Sequence, residues 1–325
     1  MIVTPYSPLP RVSDEVRLAL RAAELYHLEG ATRAEVAAKL GVSRPTAGRL
    51  IAHAKAHGMV RVEIGVTDAW HSAVHTPLEH ALEARFGLVE AVVLGESGGD
   101  ESPGDQALGQ AAAALLVRRL RRADTLGYTW GPETVALAKA IRARTARCAA
   151  VVQLNGAMTS ADHRTGADYI LGRCATLLQA RPVPLPAPLY ADAGVLTTDY
   201  LVSQALSIGA AADIMVFGTG PVGPASGLFT GGHLDAVALD ELRAAEAVGE
   251  IGGRFFRIDG SQVGGVLSAR TIGVSLDAIR DCRTSVLVSG GVAKHEAVLG
   301  ALNGGLAKVL VTDVECARWL SAQPR

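Results

Sequence analysis

Glycine-rich turns that carry isolated polar side chains recur between residues 127 and 313, each after an apolar run and usually before a helical pattern. Backbone N–H groups at the start of such helices suit a phosphate or a polarised hydroxyl. The side chains of Gln153, Asn155 and Glu250 can hydrogen-bond vicinal hydroxyls, and the Lys294 ammonium can hold an anionic oxygen. Singly, such a turn is more often turn chemistry alone. Together they outline a candidate small-molecule site. The residues singled out for it are Trp130, Thr134, Gln153, Asn155, Gly218, Glu250, Gly290, Gly291 and Lys294.

A second constellation, between residues 32 and 58, has the spacing of a helix-turn-helix. Thr32 and Glu35 form a capping-box pattern, and Gly41 suits the left-handed turn that ends the first helix. Ser43 is a good N-cap for the second helix. The apolar residues predicted to face inward are Val36, Ala37, Leu40, Ala47, Leu50, Ile51 and Ala54.

The outer side of the second helix is basic. From residue 30 to 65 there are six basic and two acidic residues, a local charge of +4 in a chain of net charge −1. Arg44 and Thr46 stand at the helix N-terminus, which is the part that reaches base edges in the major groove. An ordinary hairpin with a solvated basic face is the competing interpretation. The predicted DNA contacts are Arg33, Ser43, Arg44, Pro45, Thr46, Arg49, His53, Lys55 and Arg61.

Flanking elements complete the first region. Helical periodicity begins after Ser13 and predicts an inner stripe made by Val16, Leu20, Ala23 and Tyr26 or His27. The alternating run Met59 to Ile64 predicts a short strand or wing.

Apolar runs then alternate with helical stretches, which predicts an α/β fold with a mostly parallel sheet. The predicted strands are Ala91–Leu94, Thr125–Thr129, Ala149–Leu154, Asp213–Phe217, Ser285–Val288 and Lys308–Val311. The predicted helices are Leu78–Phe86, Leu108–Arg121, Glu133–Arg144, Ala167–Gln179, Leu239–Ala245, Lys294–Leu302 and Glu315–Leu320.

The predicted organisation is a DNA-binding domain over 1–66 that includes a mobile arm over 1–12, a linker over 67–77, and a larger domain over 78–325. No apolar run reaches the roughly 20 residues that span a bilayer, and no signal peptide is visible. The four cysteines are widely spaced, which indicates small buried side chains rather than a metal site. We therefore expect a cytoplasmic protein that needs no cofactor or metal and does not bind a membrane.

At this point a family can be named. The segments L-Y-x-x-E-G, A-x-x-L-G-V-S-R-P-T, A-V-G-E-I-G-G-R-F-F and S-G-G-V-A-K-H-E-A, followed by V-L-V-T-D, resemble SorC-type bacterial transcriptional regulators. The resemblance runs from Val16 to Leu320. It implies a helix-turn-helix domain followed by a Rossmann-like, sugar-isomerase-type domain that binds a sugar, polyol or sugar phosphate. By motif position it also implies the pocket residues Gly131, Glu133, Asn155, Gly156, Glu250 and Lys294. It also implies homo-oligomers in which dimers pair into tetramers.

Two departures from the family pattern bear on the ligand. Glu133 stands where the family often has threonine, and Ala157 replaces a glycine. A carboxylate at the mouth of a phosphate cradle repels a dianion, and a Cβ narrows the backbone approach. We therefore expect a neutral sugar or polyol in preference to a sugar phosphate.

The sequence thus favours a regulator whose affinity for operator DNA is controlled by a carbohydrate effector, with no catalytic residues. The alternative is a sugar-phosphate isomerase or deaminase with an appended DNA-binding domain, in which Glu250, Asp259 or Glu133 would be the general base and Lys294 the electrostatic stabiliser. The four arginines after Val117 (Arg118, Arg119, Arg121 and Arg122) are interpreted as a solvated helix face or an oligomer contact rather than a second DNA site.

Overall fold

The computed structural model describes residues 13–61, 75–95, 104–158, 166–192 and 198–324, and the chain divides into two compact units, Met1–Val66 and Thr67–Arg325. The predicted arm, the residues of the wing after Arg61, and the linker before residue 75 lie outside the described residues. Residues 59–61, the first half of the predicted wing, are not in a strand. Within the described residues no helix is long and apolar enough to cross a membrane.

The first unit contains three helices: α1 (Asp14–His27), α2 (Arg33–Leu40) and α3 (Arg44–Ala56). The local signals are confirmed. Thr32 and Glu35 form the reciprocal capping box, and Gly41 ends α2 with φ 64°. The Ser43 hydroxyl accepts from the Thr46 N–H at 3.3 Å, which starts α3. The turn between α2 and α3 is therefore set by short-range hydrogen bonds.

The core of this unit joins α1 to the helix-turn-helix. Four residues of α3 are buried as predicted: Ala47, Leu50, Ile51 and Ala54. The predicted stripe of α1 is confirmed at Ala23, which is buried, and at Tyr26, which packs against the core, but it is wrong at Leu20, which is 44% exposed, and Val16 is only partly buried. The residues of α1 that are buried are Ala19, Ala22, Ala23 and Leu25. Small alanines allow α1 to approach α3 closely. The buried face of α1 is therefore lined mainly by alanine, and the positions of the larger apolar residues Val16 and Leu20 do not predict it.

The second unit is built on a seven-stranded sheet in the order β1-β10-β9-β5-β2-β3-β4, in which every neighbouring pair is parallel. Its strands are β1 (Glu90–Leu94), β2 (Thr125–Tyr128), β3 (Ala150–Gln153), β4 (Arg181–Val183), β5 (Ile214–Phe217), β9 (Thr284–Val288) and β10 (Val309–Asp313). The predicted fold class and six of these strands are confirmed, with ends shifted by one or two residues. The prediction missed β4, a short edge strand that contains Pro182. Proline argues against a strand in a sequence because it has no N–H to donate to the sheet, and at an edge it is nevertheless tolerated.

A separate three-stranded antiparallel sheet contains β6 (Gly220–Pro221), β7 (Gly249–Ile251) and β8 (Arg254–Phe256). These strands are two or three residues long, too short for a periodicity signal, and the sequence had indicated loops there. They matter because they carry part of the cavity described below.

Helices cover both faces of the large sheet, and further short helices pack in a separate apolar cluster with the small sheet. They are α4 (Thr76–Phe86), α5 (Asp105–Arg119), α6 (Pro132–Ala140), α7 (Ala167–Leu178), α8 (Tyr200–Ala210), α9 (Gly227–Thr230), α10 (Ala236–Ala244), α11 (Val266–Arg270), α12 (Leu276–Asp281), α13 (His295–Asn303) and α14 (Val314–Ala322). The sequence missed α8, α9, α11 and α12. It also extended α6 to Arg144, whereas the helix ends at Ala140 because Ile141 turns to an extended conformation and is buried.

Strand side chains alternate between two apolar layers. On β3, Val151 packs on one face with Val216 of β5, whereas Val152 packs on the other with Phe217. Both layers are dry, as expected for a parallel sheet whose two faces are covered. The four cysteines are free and buried, as the sequence predicted.

We expect Gly109→Ala to destabilise the second unit. A Cβ on Gly109 would lie 2.5 Å from the Cβ of Ala136 where α5 crosses α6, so the helices would have to move apart. Overpacking of this kind costs about 1–3 kcal/mol, which would lower the urea midpoint. Gly172→Ala on α7 is the matched control, since a Cβ there meets nothing within 4 Å and the change should be neutral or stabilising. Equal midpoints for the two variants would contradict the close crossing.

Candidate functional site

A cavity lies at the carboxyl ends of the central strands. Along the chain, β2 leads to β3 on one side, and the next long strand, β5, returns to pair with β2 on the other side. Such a switch point opens a crevice outside the strand ends, where α/β proteins bind ligands. The cavity here has a volume of about 310 Å³. The predicted residues that line it are Trp130, Gly131, Glu133, Asn155, Gly218, Glu250 and Lys294.

An ion pair occupies one wall. The Lys294 Nζ is paired with the Glu133 carboxylate, and Glu133 has a side chain only 3% exposed. Glu133 stands in the first turn of α6, where the helix dipole favours a negative charge. Burial raises the pKa of the Glu133 carboxyl, and the nearby Lys294 ammonium opposes that shift. The ammonium that the sequence assigned to an anionic oxygen of a ligand is thus already engaged.

A second carboxylate, Glu250 on β7, faces the same cavity. Its Oε2 accepts from the Gly253 N–H at 2.7 Å, while its backbone carbonyl accepts from the Thr219 hydroxyl at 2.9 Å. Burial raises the pKa of Glu250, and the charge of Glu133 adds to the rise. Gly220 is required here, since a Cβ would overlap the Glu250 carboxylate.

Asn155 presents an unused amide to the cavity. It is 2% exposed, and neither its Oδ1 nor its Nδ2 has a hydrogen-bond partner among the residues the structure describes. A buried amide without partners costs free energy that a ligand can recover. Because the group offers both an acceptor and a donor, it suits a hydroxyl or a pair of vicinal hydroxyls.

Trp130 forms an aromatic wall in a fixed orientation. Its Nε1 donates to the Gly156 carbonyl at 2.8 Å. Gly156 itself lies behind the wall, where a Cβ would overlap the Pro188 carbonyl. The close approach of these two segments therefore holds the indole at the cavity.

Five of the predicted site residues do not line the cavity. Thr134 donates to the Gly131 carbonyl at 3.0 Å, and Gln153 donates to the Asn155 carbonyl at 2.8 Å. Gly291 donates its N–H to Asp313 at 2.6 Å, and a Cβ on Gly290 would overlap the same carboxylate. Gly156 is the fifth. The side chains of Thr134 on α6 and Gln153 on β3 are thus used by nearby backbone carbonyls, and two of the glycines, Gly156 and Gly290, allow close approach of neighbouring segments.

The sequence missed several lining residues. Those with polar side chains are Thr129, Thr219 and Ser226, and the other missed residues are Pro132, Gly220, Pro221, Ala225, Gly227, Leu228, Gly252 and Ala293. Most of these belong to the segment 218–228 between β5 and α9. The signal available was the run of glycine, proline and serine after β5, which marks a structured turn without indicating what it faces.

The outer surface of α3 is exposed as predicted. Arg44, Arg49 and Lys55 face solvent, as do Arg33 on α2 and Arg61. The Thr46 hydroxyl already bonds to neighbouring side chains: it lies 2.8 Å from the Ser43 hydroxyl and accepts from Arg49 at 3.3 Å. His53 stacks on His57 with ring centroids 3.9 Å apart. A shallow depression on this surface is lined by Arg33, Arg44, Pro45, Gly48, Arg49 and Ala52.

We expect Lys294→Met to destabilise the protein by about 3 kcal/mol at pH 7.5, because it leaves Glu133 buried without its partner. A carboxyl whose pKa is raised by folding loses stability as pH rises through its titration, and removal of Lys294 raises that pKa further. The penalty measured by urea unfolding should therefore be smaller at pH 5. The double variant Glu133→Gln/Lys294→Met should recover most of the loss, and Lys139→Met, on an exposed helix face, should cost little. A penalty independent of pH would contradict the pairing.

Comparison with known proteins places the chain in a family. Residues 72–320 match the family model described as "Putative sugar-binding domain". The chain is 30% identical over 314 residues to the erythritol catabolism regulatory protein EryD of Brucella abortus, covering 94% of this chain and 97% of that protein. It is 29% identical over 311 residues to the deoxyribonucleoside regulator of Bacillus subtilis, covering 94% and 98%.

Solved structures agree. The crystal structure of the full-length sorbitol operon regulator SorC from Klebsiella pneumoniae aligns with a TM-score of 0.69 at 27% identity, covering 95% of this chain and 100% of that one. A domain of an Arthrobacter aurescens protein described as "a possible sugar-binding transcriptional regulator" aligns with a TM-score of 0.70 at 28% identity, covering 76% of this chain and 97% of that one. The chain therefore belongs to the SorC family of sugar-responsive, DNA-binding transcriptional regulators.

Proposed function

We propose that this regulator is controlled by a neutral sugar or polyol bound in the cavity at the ends of β2 and β5. The observation that carries this proposal is the Asn155 amide, which is buried, faces the cavity and has no partner among the described residues. A ligand in the cavity can complete the hydrogen bonds that no described residue supplies. The contacts proposed for the ligand are Trp130, Gly131, Glu133, Asn155, Gly218, Glu250 and Lys294.

The charges of the cavity support a neutral ligand. A phosphate dianion would have to take the Lys294 ammonium from Glu133 and leave that carboxylate buried without a partner. Breaking a buried pair in this way costs about 3–5 kcal/mol. Glu250 would add further repulsion. Hydroxyl groups, by contrast, can donate to Glu133 and Glu250 while Asn155 donates and accepts.

The chemistry of two relatives points the same way. One is named for erythritol catabolism and another for a sorbitol operon, and both compounds are uncharged polyols. A cavity of about 310 Å³ lies at the lower end of the range for ligand pockets, which fits a small polyhydroxy compound.

The DNA-binding half of the proposal rests on α3. Its N-terminal residues, the exposed Arg44 and the half-buried Thr46, would reach base edges, and the surrounding basic residues Arg33, Lys55 and Arg61 would contact phosphates. We infer a DNA-binding domain over 1–66, a linker over 67–77 and an effector domain over 78–325. Two-fold symmetric dimers, paired into tetramers, would match a palindromic operator.

We infer that the chain has no catalytic activity of its own and acts in the cytoplasm. Glu133 is paired with Lys294 and Glu250 accepts from Gly253, so both carboxylates are held in place as acceptors for ligand hydroxyls. Asp259 is exposed and accepts from the Ser261 N–H at 2.8 Å, away from the cavity. Ligand binding then acts by favouring one of two states that differ in DNA affinity.

Asn155→Leu should abolish the response to the effector. A thermal-shift screen of sugars, polyols and their phosphates against the whole chain should identify a neutral compound that stabilises by about 2.7 kcal/mol at 100 times its Kd. The Asn155 variant should weaken its binding by about 10- to 100-fold, as expected for the loss of one or two hydrogen bonds. Asn303→Leu, at the end of α13 outside the cavity, is the matched control. Tight binding of a sugar phosphate, with no binding of its dephosphorylated form, would overturn the proposal.

The double variant Arg44→Ala/Arg49→Ala should lose sequence-specific DNA binding while retaining effector binding. Each lost base contact costs about 1–3 kcal/mol of discrimination, so the operator and a scrambled duplex should become nearly equal in affinity. The operator would be selected from random duplexes with the wild-type protein. Arg17→Ala on the exposed side of α1 should change neither property. Full retention of operator affinity by the double variant would show that α3 is not the recognition helix.

A further inference from the structure

The opposite edge of the large sheet, where β2, β3 and β4 begin, carries an unpaired positive surface. Three turns meet there through backbone hydrogen bonds: Ala149 N–H donates to the Asp124 carbonyl at 2.8 Å, and Arg181 N–H donates to the Ala149 carbonyl at 3.1 Å. The strands they feed are neighbours in the sheet. Cations that the sequence spreads over sixty residues are thereby brought to one edge. We call this surface the cationic edge; it consists of Arg121, Arg122, Lys139, Arg142, Arg144, Arg147 and Arg181.

All seven side chains of the cationic edge are exposed, and none forms an ion pair with a residue that the structure describes. The nearby carboxylates are already used. Asp124 is buried and paired with Arg283 at 2.8 Å, and Asp213 accepts from the Thr125 N–H at 2.9 Å. Glu90 is paired with the two preceding arginines, Arg118 and Arg119. The positive charge of the edge is therefore not neutralised within the described part of this chain.

The early end of α6 leaves a groove in this surface. The Arg173 guanidinium donates to the carbonyls of Ala138 and Lys139, at 2.6 and 3.1 Å, and so terminates the helix. A groove of about 760 Å³ opens between α5, α7 and the segment that follows α6. Lys139, Arg142 and Thr145 are among the residues that line it.

We propose that the cationic edge binds the phosphate backbone of duplex DNA independently of base sequence, in place of the solvated or oligomer-contact role that the sequence indicated for Arg121 and Arg122. Arginine forks and lysines on exposed turns are the groups that contact phosphates in protein–DNA interfaces. This inference rests on the DNA-binding function and does not depend on the identity of the effector.

The composition of the edge favours DNA over a protein partner. Between its cations lie small residues, such as Ala123, Ala143 and Ala146. Protein interfaces use arginine too, but they combine it with large aromatic or apolar anchors, whereas the exposed residues between positions 142 and 149 are only arginine, alanine and threonine. The phosphates of a duplex are all alike, so a surface that binds them requires only exposed positive charges that the duplex can reach. The cationic edge supplies these.

The test is the salt dependence of DNA binding by the whole protein. The probe is a fluorescein-labelled 40-base-pair duplex of mixed sequence, with Kd measured from about 50 to 200 mM salt. Each phosphate contact contributes about 0.9 to the slope of log K against log salt. Arg142→Gln/Arg147→Gln should lower the magnitude of the slope by about 2 and weaken binding by about 10- to 100-fold at 100 mM salt. The matched control is Arg243→Gln/Arg270→Gln, two exposed arginines on α10 and α11, which should leave both values unchanged.

A second pair, Arg121→Gln/Arg122→Gln, should reproduce the effect on a different turn and guards against a local folding defect in the first variant. Sedimentation of each variant measures its assembly state and so tests the alternative that a second copy of this chain occupies the edge. Slopes and affinities equal to those of the control pair would overturn the proposal. A change of assembly state without a change of slope would also overturn it, since it would make the edge a contact between copies of this chain.

Discussion

The parallel order of the large sheet is the constraint on which the rest of the second unit depends. When every strand runs the same way, all carboxyl ends lie at one edge and all amino ends lie at the other. Loops that follow β2, β3, β5 and β9 must therefore meet, however far apart they are in sequence. The reversal of strand order between β2 and β5 separates the adjoining loops and leaves the crevice. The polar residues of the cavity and the cationic edge lie at opposite ends of this sheet for the same reason.

Within the crevice the balance of charge is set by the protein itself. Two carboxylates, Glu133 and Glu250, are withdrawn from water, and burial raises the pKa of both. Lys294 compensates only one of them directly. The strongest electrostatic interaction of the site, the ion pair of Glu133 with Lys294, is therefore already formed within the protein. What remains available is a set of hydrogen-bonding groups, with the unpartnered Asn155 amide at its centre.

The two units solve different packing problems. The first relies on alanines at positions 19, 22, 23, 47 and 54, which let three short helices share a small core. The second buries much larger apolar layers on both faces of a sheet. A DNA-binding unit with its own core and its own caps can retain its shape while the effector unit changes state. Regulation then requires only that the effector binds the two states of the protein with different affinity.

The sequence by itself determined the helix-turn-helix nearly completely, because its signals are local. The Thr32–Glu35 capping box, Gly41 and the Ser43 cap act over three or four residues, so their spacing is sufficient evidence. It also determined the α/β class and six strands, because buried parallel strands are continuous apolar runs. It failed for β4 and for β6 to β8, which are too short to show a period, and for α1, where small side chains set the contact face.

The tertiary structure alone decided what the polar residues do. Glu133 and Lys294 are 161 residues apart, and no spacing rule predicts that they pair. Gln153 and Asn155 are two residues apart and looked equivalent in sequence. In the fold, one amide is consumed by a backbone carbonyl and the other is left free to face the cavity. Whether a polar group binds a ligand depends on which partners surround it, and those partners are brought in by the order of strands in the sheet.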